Sequence, residues 1–269
     1  MGLSLARDQE DLAFAARALL TRCRITGPEG IHLRKIAASL NLSVEAVPAD
    51  GFAGVLLRME DAGTILVDQK MGEARQRFTI AHEIGHASLH PQTDPRHTCG
   101  LNDVREFSIA AKPREREANV FASELLMPAD MFRTLISYPP SMENIRHLAE
   151  TFRTSLSSSA IRYCSFTGER CAIVFSKDNE IKWAAPSADF GYEVLRFGYL
   201  DPETYAADAF SGKVLREGMR TAPLEAWVED EVPVRAVVHE DSLAMPRLDA
   251  VLTLLWIEGA DEDEEGDCY

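Results

Sequence analysis

The sequence predicts an α+β multidomain protein. Three observations carry that prediction. The 269 residues are enough for more than one domain. Apolar residues recur at helical spacing in some segments and as short branched runs in others. A proline-containing break, "SYPPSM" at 137–142, separates a front part from a back part.

The front part begins with a predicted helix over 7–25, where Leu12, Phe14, Ala15, Leu19 and Leu20 mark one stripe. "TGPEG" ends it, and a short amphipathic helix follows at 31–41. The period then changes. "GVLLRM" and "GTILVD" are apolar runs separated by "EDAG", which predicts a hairpin. Residues 77–90 return to helical character, "PQTDPRHTCG" reads as a loop, and "PREREANVFASELLMP" reads as a helix from Pro113 to Pro128. Together these make a compact α+β unit over residues 1–135.

Behind the break, residues 136–165 have helix–turn–helix rhythm. Ile145, Leu148, Ala149 and Phe152 mark one helix, "RTSLSSS" the turn, and Ala160, Ile161 and Tyr163 the next helix. Residues 166–257 read as a small α/β-type domain. "RCAIVFSKDNEIKWAAP" gives two strands joined at Lys177-Asp178-Asn179. "PETYAADAFSG" gives a helix ending on Gly212. "PVRAVVHED" and "LDAVLTLLWIE" give two more strands, the last apolar throughout and therefore central.

Composition excludes some functions. The chain is 46% hydrophobic and 26% charged, as ordinary globular proteins are. No stretch of about 18 uncharged apolar residues offers a membrane span. The N-terminal "MGLSLARDQEDLAFAARALL" does not read as a secretory signal, and Ala6 spoils a myristoylation pattern. The five cysteines, Cys23, Cys99, Cys164, Cys171 and Cys268, are scattered with no CxxC, which fits free thiols in a cytoplasmic protein. Cys164 and Cys171 read as ordinary core thiols, with a redox role the alternative. Net charge is −15, and residues 258–269, "EGADEDEEGDCY", hold seven acids and no base. That stretch reads as a solvated, disordered tail. The remaining body is still acidic, with 36 acids against 28 bases, which opposes non-specific nucleic-acid binding.

The chemistry concentrates in "RFTIAHEIGHASLH", residues 77–90. On a helix His82 and His86 stand one above the other, with about 5–6 Å between Cβ atoms, the span for one shared ion. Glu83 lies about 100° round from His82, where a carboxylate can take a proton from a zinc-polarised water. His90 is about 12 Å from His82 along the axis, too far to share the ion, and reads as a buried supporting residue. A third ligand is expected from the helix at 113–127, whose candidates are Glu115, Glu117 and Glu124. Glu115 leads. It shares a face with Asn119, which can orient a histidine ligand through its other ring nitrogen, whereas Glu117 points about 160° away. Two histidines and a carboxylate suit Zn2+, while Mn2+ or iron fits the same donor set.

These two segments resemble the ImmA/IrrE family of metallopeptidases, whose pattern is HExxH followed by ExxA(N/D)xFAxxLLxP. Here the match is His82-Glu83-xx-His86, then Glu115-xx-Ala118-Asn119-x-Phe121-Ala122-xx-Leu125-Leu126-x-Pro128. The resemblance covers about residues 40–135. It implies a zincin-like peptidase domain with His82, His86 and Glu115 as metal ligands and Glu83 as catalytic base. The three-part order is similar to that of radiation-response members, which implies a GAF-like sensor domain at 166–257 and a small-molecule signal acting there. It also implies cleavage of a helix–turn–helix repressor, inducing a DNA-damage response. The competing expectation is a transcription regulator that binds DNA directly through residues 140–163 and carries a degenerate or structural metal site. There Arg146, Arg153 and Arg162 face Glu143 and Glu150, a net of only +1.

Overall fold

A computed structural model describes residues 2–49, 51–59, 61–90, 96–100, 113–215 and 218–258, with backbone alone at 2–8 and 96–100. The acidic stretch from 259 onward lies outside the described residues. The chain divides into two compact units: Met1–Thr134 with Ala149–Ser158, and Leu135–Leu148 with Ser159–Tyr269.

The first unit opens with α1 (Gly2–Arg22) and a single-turn α2 (Leu33–Ala38). Its sheet contains β1 (Leu42–Val47), β2 (Phe52–Arg58), β3 (Gly63–Asp68) and, after α3 (Glu73–Leu89), β4 (Arg96–Gly100). The strand order is β1-β3-β2-β4. β2 and β3 form the expected antiparallel hairpin, and β1 joins β3 in parallel. Along β3 burial alternates, with Ile65 and Val67 inward. Along β2 it does not: Ala53, Gly54, Val55 and Leu56 are all buried, so both faces of that strand are covered. Helix α4 (Pro113–Leu126) starts on its proline, which needs no intrahelical N–H partner there, and α5 (Ala129–Arg133) follows Pro128. The core joins Ala16, Leu19 and Leu20 of α1 to Ala118, Phe121 and Leu125 of α4 and Ile80, Ala81 and Ile84 of α3.

One expectation fails here. "PQTDPRHTCG" read as a loop, yet residues 96–100 pair antiparallel with β2, Thr98 opposite Val55 and His97 opposite Leu56. Nothing in "RHTCG" alternates, so the pairing is a tertiary effect that strand propensity does not report.

The second unit holds a six-stranded sheet in the order β7-β6-β5-β10-β9-β8. Two helices precede it, α6 (Met142–Phe152) and α7 (Leu156–Phe166), joined at Arg153, whose φ is +54°. The two units exchange the chain within these helices. Strands β5 (Arg170–Lys177) and β6 (Glu180–Pro186) form a hairpin whose tip residues, Asp178 and Asn179, have φ of +55° and +60°. Asp and Asn tolerate that left-handed conformation, which matches the twist of a two-residue hairpin turn. After β7 (Gly198–Tyr199) come α8 (Tyr205–Phe210), β8 (Arg220–Pro223), β9 (Val237–Met245) and β10 (Ala250–Ile257). β10 lies between β5 and β9 and is buried from Ala250 to Trp256, as an apolar central strand must be. One face packs Val174, Ile181, Val238, Val251 and Leu255 with Trp227 and Phe190. Ile173, Leu252 and Leu254 alternate with these and are also buried.

A curled sheet with helices is compatible with the α/β-type unit expected here. Its paired strands run antiparallel throughout. The short β5–β6 and β9–β10 turns leave no room for the crossover that parallel pairing needs. The unit is a curled antiparallel sheet with helices, and the whole protein is a mixed α and β fold.

Candidate metal centre

Helix α3 is buried continuously from Phe78 to His86. Polar side chains there cannot turn to solvent, so each must find a partner inside the unit. Helix α4 supplies them. The two helices pack at very short range because Gly85 faces the backbone of Ala118: a β-carbon at 85 would sit 3.2 Å from the Ala118 Cα and carbonyl oxygen.

That approach brings Glu115 and Asn119, one turn apart on α4, onto His82. Asn119 Oδ1 lies 2.8 Å from His82 Nδ1, and Glu115 Oε2 lies 3.1 Å from His82 Nε2. His86 Nε2 is 3.0 Å from His82 Nε2 and 3.4 Å from the same Glu115 oxygen. The amide oxygen of Asn119 can only accept, so His82 Nδ1 donates and its Nε2 carries no proton. Three ligand-type atoms thus converge on one point. Atoms bound about 2.0–2.1 Å from one tetrahedral ion stand roughly 3.3 Å apart, and the observed separations fit that. Among the described residues these three form a candidate metal-holding group, and all are buried.

Glu83 is fully buried on the same helix. Strand β2 passes so close that a β-carbon on Gly54 would lie 2.7 Å from Glu83 Oε1 and 2.5 Å from the Thr79 methyl. Four residues along β2, Arg58 donates from Nη2 to the His86 carbonyl oxygen at 2.6 Å. Burial draws the Arg58 guanidinium below its ordinary pKa, and the charge of Glu83 opposes that. Sequence reasoning missed both residues. Arg58 left no signal. Gly54 did: a lone glycine inside "FAGVLL" marks a place where something approaches the backbone closely.

His90 ends α3 as its C-terminal cap, and Pro91 follows in sequence. Its Nδ1 lies 3.1 Å from His86 Nδ1 and its Nε2 lies 2.7 Å from Glu117 Oε2. Of the acidic candidates on α4, Glu115 therefore meets the histidine pair and Glu117 meets His90. Glu124 does neither: it accepts the N–H of Ala129 and pairs with Arg17, tying α4 to α5 and α1.

The cysteines give no second centre among the described residues. Burial pushes the Cys164 thiol up to about 12 and raises Cys171 further, so both stay protonated and unreactive.

His82 and His86 on one helix, closed by a carboxylate from a second helix, are compatible with a metallopeptidase type of centre. Comparison with known proteins narrows the class. Residues 33–163 match the Peptidase M78 family, described as the IrrE N-terminal-like domain. That match and the similarities below support an ImmA/IrrE-type domain over residues 33–163. The radiation response metalloprotease IrrE of Deinococcus deserti is 34% identical over 96 residues, 35% of this chain and 34% of that protein. Its Deinococcus radiodurans counterpart is 32% identical over 96 residues, 29% of its length. An uncharacterized immunity region protein 2 of Bacillus phage phi105 is 38% identical over 64 residues, 24% of this chain and 37% of that protein. The matched stretches thus span only about a third of these relatives. A Mycobacterium tuberculosis transcriptional regulator of known structure superposes with a TM-score of 0.57 over 91% of this chain and 76% of its own, at 17% identity. That likeness is one of fold.

Proposed function

We propose that the protein is a metal-dependent endopeptidase that cleaves a helix–turn–helix transcriptional repressor in the cytoplasm and so induces a DNA-damage response. The observation that carries this reading is the convergence of His82, His86 and Glu115 beside the buried Glu83. His82, His86 and Glu115 would hold the ion, zinc by donor set, with manganese the alternative. A zinc ion there supplies Lewis-acid polarisation to water and to the scissile carbonyl. Glu83 takes a proton from the attacking water as the C–O bond forms, then delivers it to the departing amine nitrogen as the C–N bond breaks. Gly54 leaves the room Glu83 needs, and Asn119 holds His82 in the tautomer that presents Nε2.

The substrate class rests on the family resemblance, supported by similarity to radiation response metalloproteases and a phage immunity region protein. The domain scheme consistent with it is a peptidase domain at 1–135, a helix–turn–helix-like segment at 136–165 and a GAF-like sensor at 166–257. The helix pair and curled antiparallel sheet are compatible with that scheme. Direct DNA binding through 140–163 is the weaker reading. Of its three arginines, Arg153 already pairs with Glu73 and Arg162 stacks 4.3 Å over the Phe166 ring.

The test incubates purified protein, zinc and a candidate repressor. Wild type cleaves and Glu83→Gln does not. No cleavage by wild type, or equal cleavage by Glu83→Gln, refutes the reading. Tight sequence-specific retardation of DNA at physiological salt would favour the regulator instead.

A further inference from the structure

The line that runs outward from His86 through His90 to Glu117 has no part in holding an ion directly. We propose that Glu117 and His90 are positioning residues that set the tautomer of His86, so that its Nε2 faces the metal point without a proton. This inference rests on the reading of His82, His86 and Glu115 as metal ligands.

Three hydrogen-bonded groups in line restrict where the ring protons can sit. A carboxylate has no proton to give, so at 2.7 Å His90 Nε2 must donate to Glu117 Oε2. In the neutral form His90 holds one ring proton, so with Nε2 donating its Nδ1 is an acceptor. The group facing it at 3.1 Å is His86 Nδ1, which must donate. The single proton of His86 is thereby committed to Nδ1. Its Nε2, 3.0 Å from His82 Nε2 and 3.4 Å from Glu115 Oε2, presents a lone pair. Asn119 does the same for His82 in one step. Both ligand histidines are thus set from the outside, His82 by an amide on α4 and His86 by a carboxylate on α4 acting through a second histidine.

Helix geometry explains why the intermediary exists. His82 and His86 lie one turn apart on α3 and His90 caps its end, while Glu115 and Glu117 lie only two residues apart on α4. Glu115 occupies the level of the ion, and a further carboxylate from the same turn cannot reach His86 Nδ1 on the far side. His90, one turn on, bridges that gap. The reversed arrangement, with His90 Nε2 unprotonated against a carboxylate, would set two acceptors 2.7 Å apart.

The experiment uses the full chain, stripped of metal and titrated with zinc against a chromophoric chelator. Partners that orient ligand histidines are worth roughly 10–100-fold in metal affinity. Glu117→Ala is expected to weaken zinc binding by about tenfold and His90→Phe by more. Glu117→Gln keeps an acceptor oxygen and returns affinity to within about threefold of wild type. Because the Glu117 side chain is 42% exposed, neither of its variants threatens the fold. Nitrogen NMR of the imidazoles adds a readout that a packing role would not move: His90 is the Nε2–H tautomer in wild type and Glu117→Gln, and a mixture in Glu117→Ala. Wild-type zinc affinity in Glu117→Ala, or an unchanged His90 tautomer, overturns this inference and leaves the metal site standing. A wild-type chain that binds no zinc overturns both.

Discussion

Each unit buries a carboxylate deep in its interior, and the two are solvated by opposite means. In the second unit Glu240 accepts from the backbone N–H of Tyr205 at 3.0 Å, from that of Ala206 at 2.6 Å and from the Ser242 hydroxyl at 2.8 Å. With Thr204 it caps the first turn of α8. Every neighbour is a donor, so the group is complete as it stands. In the first unit Glu115 Oε2 meets His82 Nε2 and His86 Nε2, which the proposed tautomers make acceptors. On the proposed reading a cation would join that cluster. Burial and hydrogen-bond distance look alike in the two places. On the proposed reading the direction of donation separates a structural carboxylate from a metal-holding one.

Deleting each carboxylate in turn distinguishes the two most directly. Glu115→Ala is expected to cost at least a hundredfold in zinc affinity, read by chelator competition, while the unfolding midpoint of the metal-free chain hardly moves. A metal-free chain that loses as much stability as a core mutant would place Glu115 with Glu240 instead. The converse deletion, Glu240→Ala, leaves donors buried without acceptors and should cost about 2–3 kcal/mol. All three tryptophans, Trp183, Trp227 and Trp256, lie in the second unit, so fluorescence during denaturation reads that loss there. Zinc affinity should stay at the wild-type value.

A smaller effect tests the room beside Glu83. Gly54→Ala pushes a methyl group against Glu83 Oε1 and Thr79. Turnover should fall roughly tenfold, as displacement of a catalytic group by a fraction of an ångström does, with zinc affinity nearly unchanged. Equal turnover would show that the carboxylate position is not set by the strand. The smallest effect is one of pH. Burial raises the pKa of Glu240 above the ordinary carboxylate value. The folded unit therefore binds that proton more tightly than the unfolded chain. The resulting stability is fully present below the ordinary glutamate value, about 4.3, and is lost as pH rises through the raised one. The tryptophan-monitored denaturation midpoint should fall across that interval, and Glu240→Gln should flatten the fall. An identical slope in the variant would assign the pH dependence to other groups.

Much of this was legible in the sequence where the signal is local. The four-residue spacing of His82 and His86, the i, i+4 pair Glu115 and Asn119, and the proline bounds of α4 are periodicities that a helix converts directly into geometry. The hairpin tip at Asp178-Asn179 was legible for the same reason. What escaped were features made by distant chain segments. Strand β4 forms on "RHTCG" only because β2 offers a partner, and Arg58 reaches the His86 carbonyl from a strand 28 residues earlier. Glu117 escaped for a subtler reason. Counting helical angles correctly directed it away from the Glu115 face, but the count cannot say that His90 waits on the other side.

The contact between Gly85 and Ala118 has one more consequence, and it concerns which ion is admitted. On the proposed reading the ligand histidines ride on one helix and Glu115 on the other, so the width of the ligand triangle depends on how closely the two helices pack. That separation is held at its minimum by a glycine facing an alanine backbone. Oxygen-seeking cations such as calcium, with bonds of about 2.3–2.6 Å and six or more ligands, need a wider and more crowded ring. An ion with bonds near 2.0–2.2 Å fits the triangle as packed. If the site holds an ion as proposed, this close packing would favour the smaller radius, and Gly85→Ala is expected to shift metal preference without touching a ligand.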